Sequence, residues 1–385
     1  MAETFDVVIA GGGPVGAALA LALRTTQLRV ALVEARAPGA AETDGRAIAL
    51  AYGSRLILER LGVWEALVPA ATPIIDIHVS QQGGYGRAHL SAAASCVPAL
   101  GYVVPYYVLA NTLRAALSDT PVELMSGRAV HAVEREAAQA TLTLQGAATR
   151  EAVCARLAVI ADGGAELNLA PVKRRDYGQS ALVFDVVSEQ SHHNRAFERF
   201  TEGGPLALLP TARGWSVVWT LPPAQAQQLA ALDDQQFCQR LRDAFGGTLG
   251  AFSAPSRRLV FALALKYAPQ PMALRTVLIG NAAQTLHPVA GQGFNLGLRD
   301  AWELAHALIA CRGPDVGTAA VLQAYLSRRR FDRIATILFT DSLIRLFRKD
   351  IPLLAHARSL GLAAFGALPL AKSFLSRRML FGING

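Results

Sequence analysis

The hydrophobic pattern opens on two near-continuous apolar runs. Phe5 to Ala10 (FDVVIA) and Arg29 to Glu34 (RVALVE) lack the alternation of a half-exposed strand, so each predicts a strand buried on both faces. Between them, Ala17 to Arg24 is apolar up to its final arginine and predicts a short buried helix. Ala155 to Gly164 (ARLAVIADGG) predicts another buried strand that ends in Asp-Gly, and Val277 to Ile279 a short one. Helices are expected over Ser54 to Leu67, Tyr106 to Leu117 and Gln236 to Phe245, and from Ala301 onward. Ile74 to Ser80 and Ala88 to Leu90 read as strands turned by Gly83, Gly84 and Gly86. Val122 to Leu124, Ala129 to Glu134 and Ala140 to Leu144 read as a small meander. Val172 to Ser188, Ala207 to Leu209, Trp215 to Leu221 and Leu259 to Leu265 have strand composition and suggest a separate sheet.

This order predicts the α/β class, or α+β over the whole chain. A Rossmann-like domain would be built from residues 1–72, 101–175 and 269–335. A β-sheet domain would be inserted as residues 73–100 and 176–268, and C-terminal helices would occupy residues 336–385.

The first turn adds chemistry. Gly11, Gly13 and Gly16 stand with Pro14 in GGGPVG, directly between the first strand and the first helix. The first glycine makes the tight turn, the second admits a pyrophosphate, and the third lets helix and strand pack closely. Glu34, at the tip of the second strand, can accept a ribose hydroxyl, and an acid there suits an unphosphorylated adenosine ribose, as in FAD or NAD. Arg46 in TDGRAIAL has two readings, a contact to a phosphate or ring carbonyl, or a solvated loop arginine.

Composition narrows the partners. Of 385 residues, 52% are hydrophobic and 17% charged, which supports a large core rather than disorder. The net charge of +8 suits an anionic cofactor, lipid or nucleic acid, but no basic run with interleaved aromatics supports nucleic acid. Cys96, Cys154, Cys238 and Cys311 stand far apart without a CxxC, which fits reduced cytoplasmic thiols and predicts no metal site. Glu3 and Asp6 precede the apolar stretch Val15 to Leu23 where a signal peptide would carry positive charge. No charge-free apolar run reaches ~18 residues, so no transmembrane helix is expected.

The stretch Val277 to Asp300 (VLIGNAAQTLHPVAGQGFNLGLRD) joins a strand to a helix through a loop with Pro288, Gly291 and Gly293. Glycines admit close backbone approach, and a helix start offers free N–H groups to an electron-rich edge. An ordinary α/β connection has the same grammar.

Three motifs now stand in order: GGGPVG with Glu34, ADGG around Asp162, and GNAAQTLHPVAGQGFNLGLRD. Together they resemble the class A FAD-dependent aromatic hydroxylases, which share the fold of p-hydroxybenzoate hydroxylase. TDGRAIAL, RAFERFTEGGPLALLP from Arg195 to Pro210, and GNAAQTLHPVAGQGFNLG are most similar to the ubiquinone-biosynthesis branch, in particular the 2-polyprenyl-6-methoxyphenol hydroxylase subgroup. The resemblance covers most of the chain and thins after Phe347. It implies that Gly11, Gly13, Pro14 and Gly16 hold the FAD pyrophosphate, Glu34 the ribose, and Arg46 the flavin side. Asp162 would lie between FAD and the NAD(P)H path. Asn281 would face the ribityl chain, with Pro288, Gly291, Gly293 and Asn295 along the flavin ring. The sequence departs from the family at Gly164 to Leu169 (GAELNL), where a serine and an arginine are usual, at Asn281 in place of aspartate, and at Gln284 in place of a common histidine.

The implied reaction is hydroxylation of a polyprenylated (methoxy)phenol by O₂ and NAD(P)H, through a flavin C4a-hydroperoxide. His287, next to Pro288, is a candidate base toward the phenol or a cap that holds the loop. Leu206, Pro210, Trp215 and Trp219 are candidates for the substrate face of the inserted sheet, or for its core. Leu343 to Gly385 is apolar and basic, with Arg345, Arg348, Lys349, Arg358, Lys372, Arg377 and Arg378. That tail suits the inner face of a membrane, a partner protein, or helices packed with solvated charges. Alternatives to the hydroxylase are a prenyl reductase, a non-catalytic FAD-binding scaffold and a flavin halogenase. Trp215 and Trp219 lack the WxWxIP spacing usual in halogenases.

Overall fold

The computed structural model describes residues 3–146, 150–163, 167, 169–347 and 352–382. The apolar runs form the parallel heart of an eight-stranded sheet. Glu3–Ala10 lies between Val30–Glu34 and Arg150–Ile160, parallel to both, and Thr276–Leu278 joins beyond Arg150–Ile160. Val7, Val8, Ile9, Leu157, Ala158 and Val159 are fully buried, as strands covered on both faces require. The helix Pro14–Leu23 connects the first two strands, with Leu19, Ala20 and Leu21 in the core.

Two sequence expectations are corrected here. Glu123–Ser126 is not part of a meander, because it pairs in parallel with Val30–Glu34 at the edge of the cofactor sheet. The Ala129–Arg135 and Ala140–Gln145 strands are antiparallel and continue onto Arg150–Ile160. The long helix expected over Ser54 to Leu67 breaks into Tyr52–Arg60 and Trp64–Leu67, since Gly62 at φ +80° turns the chain between them.

The middle of the chain forms a nine-stranded, mostly antiparallel sheet. Its centre runs Leu259–Tyr267, Lys173–Ser188, Gly214–Leu221, Pro205–Thr211 and Arg195–Phe200. Asp76–Gln81 and Arg87–Ser91 extend it, so residues distant in sequence complete one layer. The helices Pro223–Ala230 and Asp234–Phe245 cover one face, where Phe237 and Leu241 pack against Trp215 and Trp219. A three-stranded sheet, Ala47–Ala51, Gly101–Pro105 and Thr72–Ile74, sits between the two large ones.

The chain then returns to the cofactor domain through Gln292–Ile309 and the long helix Ala319–Phe347. These helices are locked by a buried ionic network. Asp300 accepts from Arg329 Nε (2.8 Å) and Gln284 Nε2 (2.6 Å), and Asp332 accepts from Arg299 Nε (2.9 Å) and Arg329. Pro352–Ala367 and Pro369–Phe381 follow. Among the described residues no single helix is long and apolar enough to cross a membrane.

Candidate active site between the glycine loops and the inserted sheet

Parallel strands place their following loops together at one sheet edge. Ala10 pairs with Ile160, so the glycine loop after Ala10 meets the Asp-Gly turn after Ile160. Gly11 takes φ +112°, and a Cβ there would lie 2.6 Å from Asp162 Cα. A Cβ at Gly16 would lie 2.0 Å from Gly11 O, so only glycine lets the helix start so close to the strand. Gly13 differs, because the nearest atom to a Cβ there is Tyr106 Oη at 3.9 Å. Its Cα faces open space at the start of Pro14–Leu23, a helix with no side-chain cap and no acid in its first turn. Free N–H groups therefore remain there for an anion.

Glu34 sits under this loop, with its Oε2 2.6 Å from where a Gly12 Cβ would be. It accepts from the Arg36 backbone N–H at 2.9 Å and pairs with the Arg36 guanidinium at 3.1 Å. Burial works to raise the Glu34 pKa, but the Arg36 bonds outweigh it and hold the carboxyl below its ordinary range. Glu34 is thus an ionised acceptor.

The second glycine loop packs against the first. A Cβ at Gly297 would lie 3.0 Å from both Val15 Cγ2 and Gly280 Cα, so the early turns of the two helices are in contact. Asn281 is exposed in the turn Gly280–Ala282, directly after the strand beside Asp162's own. Pro288 begins a tight turn in which Ala290 (φ +60°) and Gly291 (φ +59°) are both left-handed. That geometry is costly at Ala290, by about 1 kcal/mol, and is held by surrounding bonds. Asn295 supplies them: its side chain accepts from Ala51 N (2.8 Å) and Ser54 Oγ (2.7 Å), and donates to Ala49 O (2.9 Å) and Gly291 O (2.7 Å). All its hydrogen bonds are filled within the protein. The helix start that precedes it, at Gln292, again lacks a side-chain cap or acid, and a Cβ at Gly293 would meet nothing within 4 Å. Two adjoining uncapped helix starts, each beside an open glycine, form a cradle that fits the phosphates and polar ring edge of FAD.

His287 is buried, and its Nδ1 accepts from Val289 N at 3.1 Å. Burial pushes it down to about 4, so it is neutral with its proton on Nε2. Gln284 is a bridge: it donates to Asp300 and accepts from Arg333 Nε at 2.7 Å. Arg46 pairs with Asp44 and lies 4.9 Å over the Phe261 ring, tying the loop before Ala47–Ala51 to the inserted sheet. Its hydrogen bonds to Asp44 raise its pKa.

The substrate-face expectation needs correction. Leu206, Pro210 and Trp219 point to the helix-packed side, because Leu206 pairs with Trp219 and Pro210 with Trp215 on one face. Leu206, Trp215 and Trp219 share a core cluster with Phe237. Strand alternation puts Ala207 and Leu209 on the other face, where Leu209 and Ala196 meet Ile74 and Val103. Farther along, Phe200 joins Val289 of the second glycine loop. Between Ala196 and Phe200 stands Glu198, opposite Ala207 and Val79. Its Oε1 is buried without a hydrogen-bond partner. The acid at the same parity as Ala196 and Phe200 was the available sequence signal, in a strand that composition alone did not reveal. Gly164, Ala165, Glu166 and Asn168 of the divergent Asp-Gly continuation, and Arg348 and Lys349 of the tail, lie outside the described residues.

Comparison with known proteins agrees with this geometry. A family model described as FAD binding domain matches residues 4–337. The chain is 36% identical to ubiquinone hydroxylase UbiL of Rhodospirillum rubrum, over 97% of this chain and 89% of that one. It is 32% identical to 3-demethoxyubiquinol 3-hydroxylase of Escherichia coli, over 93% and 94% of the two chains. The crystal structure of p-nitrophenol 4-monooxygenase PnpA from Pseudomonas putida superposes with a TM-score of 0.79 over 98% of each chain, at 19% identity, and so shares the fold. The chain belongs to the FAD-binding-domain family of flavoproteins, with ubiquinone hydroxylases among its relatives.

Proposed function

We propose that this protein is an FAD-dependent monooxygenase that hydroxylates the ring of a polyprenylated phenol in ubiquinone biosynthesis, with NAD(P)H as reductant and O₂ as oxygen donor. The observation that carries the reading is the paired cradle itself: two uncapped helix starts, each beside an open glycine, whose early turns pack together. FAD, once bound, supplies the activation of O₂ that no side chain can provide.

The chain's own residues do the rest. Gly11, Gly13, Pro14 and Gly16 receive the pyrophosphate and Glu34 the ribose. Asn281 and Asp162 border the ribityl side, and Arg46 closes the sheet side. The Gly291 and Gly293 backbone and the following helix start favour negative charge on the ring edge. Pro288 and Asn295 hold that loop, and His287 is a positioning residue, since a buried neutral imidazole bonded to Val289 shapes the turn rather than moving protons. Ile74, Ile77, Leu90, Leu100, Met379 and Leu380 line an apolar cleft beside Ala290 and Gly291, which suits a prenyl tail and excludes water. Leu370 (86% exposed) and Phe374 (64%) stand out on a C-terminal helix with Lys372 and Arg377, which supports docking on an anionic membrane surface where such a substrate resides.

The test is direct. Purified protein should carry flavin absorbance, and a short-chain polyprenyl-methoxyphenol should accelerate NAD(P)H oxidation together with oxygen uptake. Flavin-loaded protein indifferent to every such phenol would overturn the reading.

A further inference from the structure

Glu198 is a carboxylate in a place where structure alone gives it nothing to do. Its strand, Arg195–Phe200, presents Arg195, Phe197 and Arg199 to the helix-packed face, where Arg199 donates to Ala244 O at 3.1 Å. Glu198 faces the other way, between Ala196 and Phe200. One end of its surroundings is the cluster of Ile74, Val103 and Leu209, and the other is the cluster containing Val289 of the flavin loop. Ile77, which pairs with Ala196, lines the apolar cleft, and Glu198 follows Ala196 on the same face, one strand repeat of about 7 Å along the backbone.

Among the described residues nothing pairs with its Oε1. The adjoining strand Pro205–Thr211 carries no ionisable group. On Asp76–Gln81, Asp76 pairs with His89 at 3.0 Å and His78 packs edge-on to Phe197, both on the opposite face. Across the cleft, His287 bonds to the Val289 backbone. Tyr177, Arg175 and Arg345 all converge on Asp341, and Arg46 pairs with Asp44. A half-buried carboxyl with one oxygen buried and unpaired is destabilising, so a purely structural position would favour an amide or an aliphatic side chain. Burial pushes the carboxyl up to about 7, where it exchanges a proton readily at neutral pH.

We propose that Glu198 is a catalytic residue whose carboxylate accepts the hydrogen bond of the substrate's ring hydroxyl and takes that proton as the ring is oxygenated. The inference rests on the phenol-hydroxylase reading. The phenolic O–H bond breaks and a carboxyl O–H bond forms on Glu198. The released electron pair moves into the ring, which makes the ortho or para carbon a better nucleophile toward the oxygen delivered by the FAD-dependent reaction. A new C–O bond forms there, the proton on that carbon leaves to water as aromaticity returns, and Glu198 gives its proton back to the phenolic oxygen. The carboxylate ends the cycle as it began.

The experiment compares holoenzyme with its Glu198→Gln and Glu198→Asp variants. The probes are a geranylated 2-methoxyphenol and its methyl ether, which lacks the donating hydroxyl. Binding is read from the change in flavin absorbance and turnover from product formation, both across pH 6 to 8. For the natural chain, kcat/KM should fall below about pH 7, and the phenol should be preferred to the ether more strongly as pH rises. Glu198→Gln should keep its flavin, lose about 10²-fold in kcat, abolish the acid limb, and lose the phenol preference by about tenfold. Glu198→Asp should restore part of the limb. A Glu198→Gln enzyme with full kcat, an unchanged acid limb and an unchanged preference would overturn the proposal. If the variants fail to retain flavin, the natural chain still decides it, since a phenol preference that does not vary across this pH range would overturn it as well. If the natural chain binds the phenol over the ether with this pH dependence but hydroxylates nothing, the functional reading fails while the contact made by Glu198 stands.

Discussion

On the helix-packed face of the inserted sheet, Leu206, Trp215 and Trp219 meet Phe237 and Leu241 in a closed core. On the other face, the same strands present Ala196, Glu198 and Ala207 toward the cofactor loops. The first face is a closed aromatic core, whereas the second mixes the small Ala196 and Ala207 with Leu209 and Phe200 and carries an acid whose Oε1 has no partner. Ala196 and Ala207 flank that acid, so under the proposed function the second face is the one that receives ligand and the first the one that stabilises. The carboxylates repeat the contrast. Asp300 has a partner for each oxygen and locks helices together, whereas Glu198 has an oxygen with none.

The largest expected effect breaks the receiving side at its cofactor. Gly13→Val places a branched side chain in the open space beside the first helix start, so the purified variant should lack flavin absorbance while circular dichroism stays native. A variant that purifies fully yellow would refute the placement of the pyrophosphate. Next comes the stabilising face. Trp219→Ala should lower unfolding free energy by about 3–5 kcal/mol in denaturant titrations, with kcat nearly unchanged where the protein is folded. A large fall in kcat with little loss of stability would move Trp219 to the substrate side.

How much of this contrast was legible in the sequence follows from the periodicities involved. The glycine loop and the parallel strands around it were readable because near-continuous apolar runs and fixed glycine spacing report local geometry. The face of Trp219 and Leu206 was not, since strands covered on both sides carry apolar residues at both parities. Arg195–Phe200 escaped notice because Arg195, Glu198 and Arg199 interrupt its strand composition. The link from Gln284 to Arg333 and Asp300 joins separate helices and a loop, a relation that no local pattern contains.

Two smaller effects sharpen the account of the flavin loop. Asn295→Ala removes four hydrogen bonds, one to Gly291 O and three to the Ala49–Ser54 segment, and should lower stability by about 2–3 kcal/mol and weaken FAD retention in a dilution assay. Unchanged retention would show that the loop keeps its shape without this clamp. His287 has a depressed pKa in the fold, so the unfolded chain binds the extra proton between about pH 4 and 6.5. Its contribution is therefore present above pH 6.5 and is lost as pH falls toward 4, on the order of 1–3 kcal/mol. His287→Asn should reduce that acid-side loss in melts compared between pH 4.5 and 7. An identical acid-side loss in the variant would mean that the imidazole is not held neutral.

The most direct test of the central claim is the fate of molecular oxygen. Flavin-loaded protein turning over a short-chain polyprenyl-methoxyphenol with NAD(P)H under ¹⁸O₂ should yield a product heavier by one oxygen atom, and that atom should carry the label. A product that gains no oxygen, or gains it unlabelled from water, would contradict the assignment of a monooxygenase.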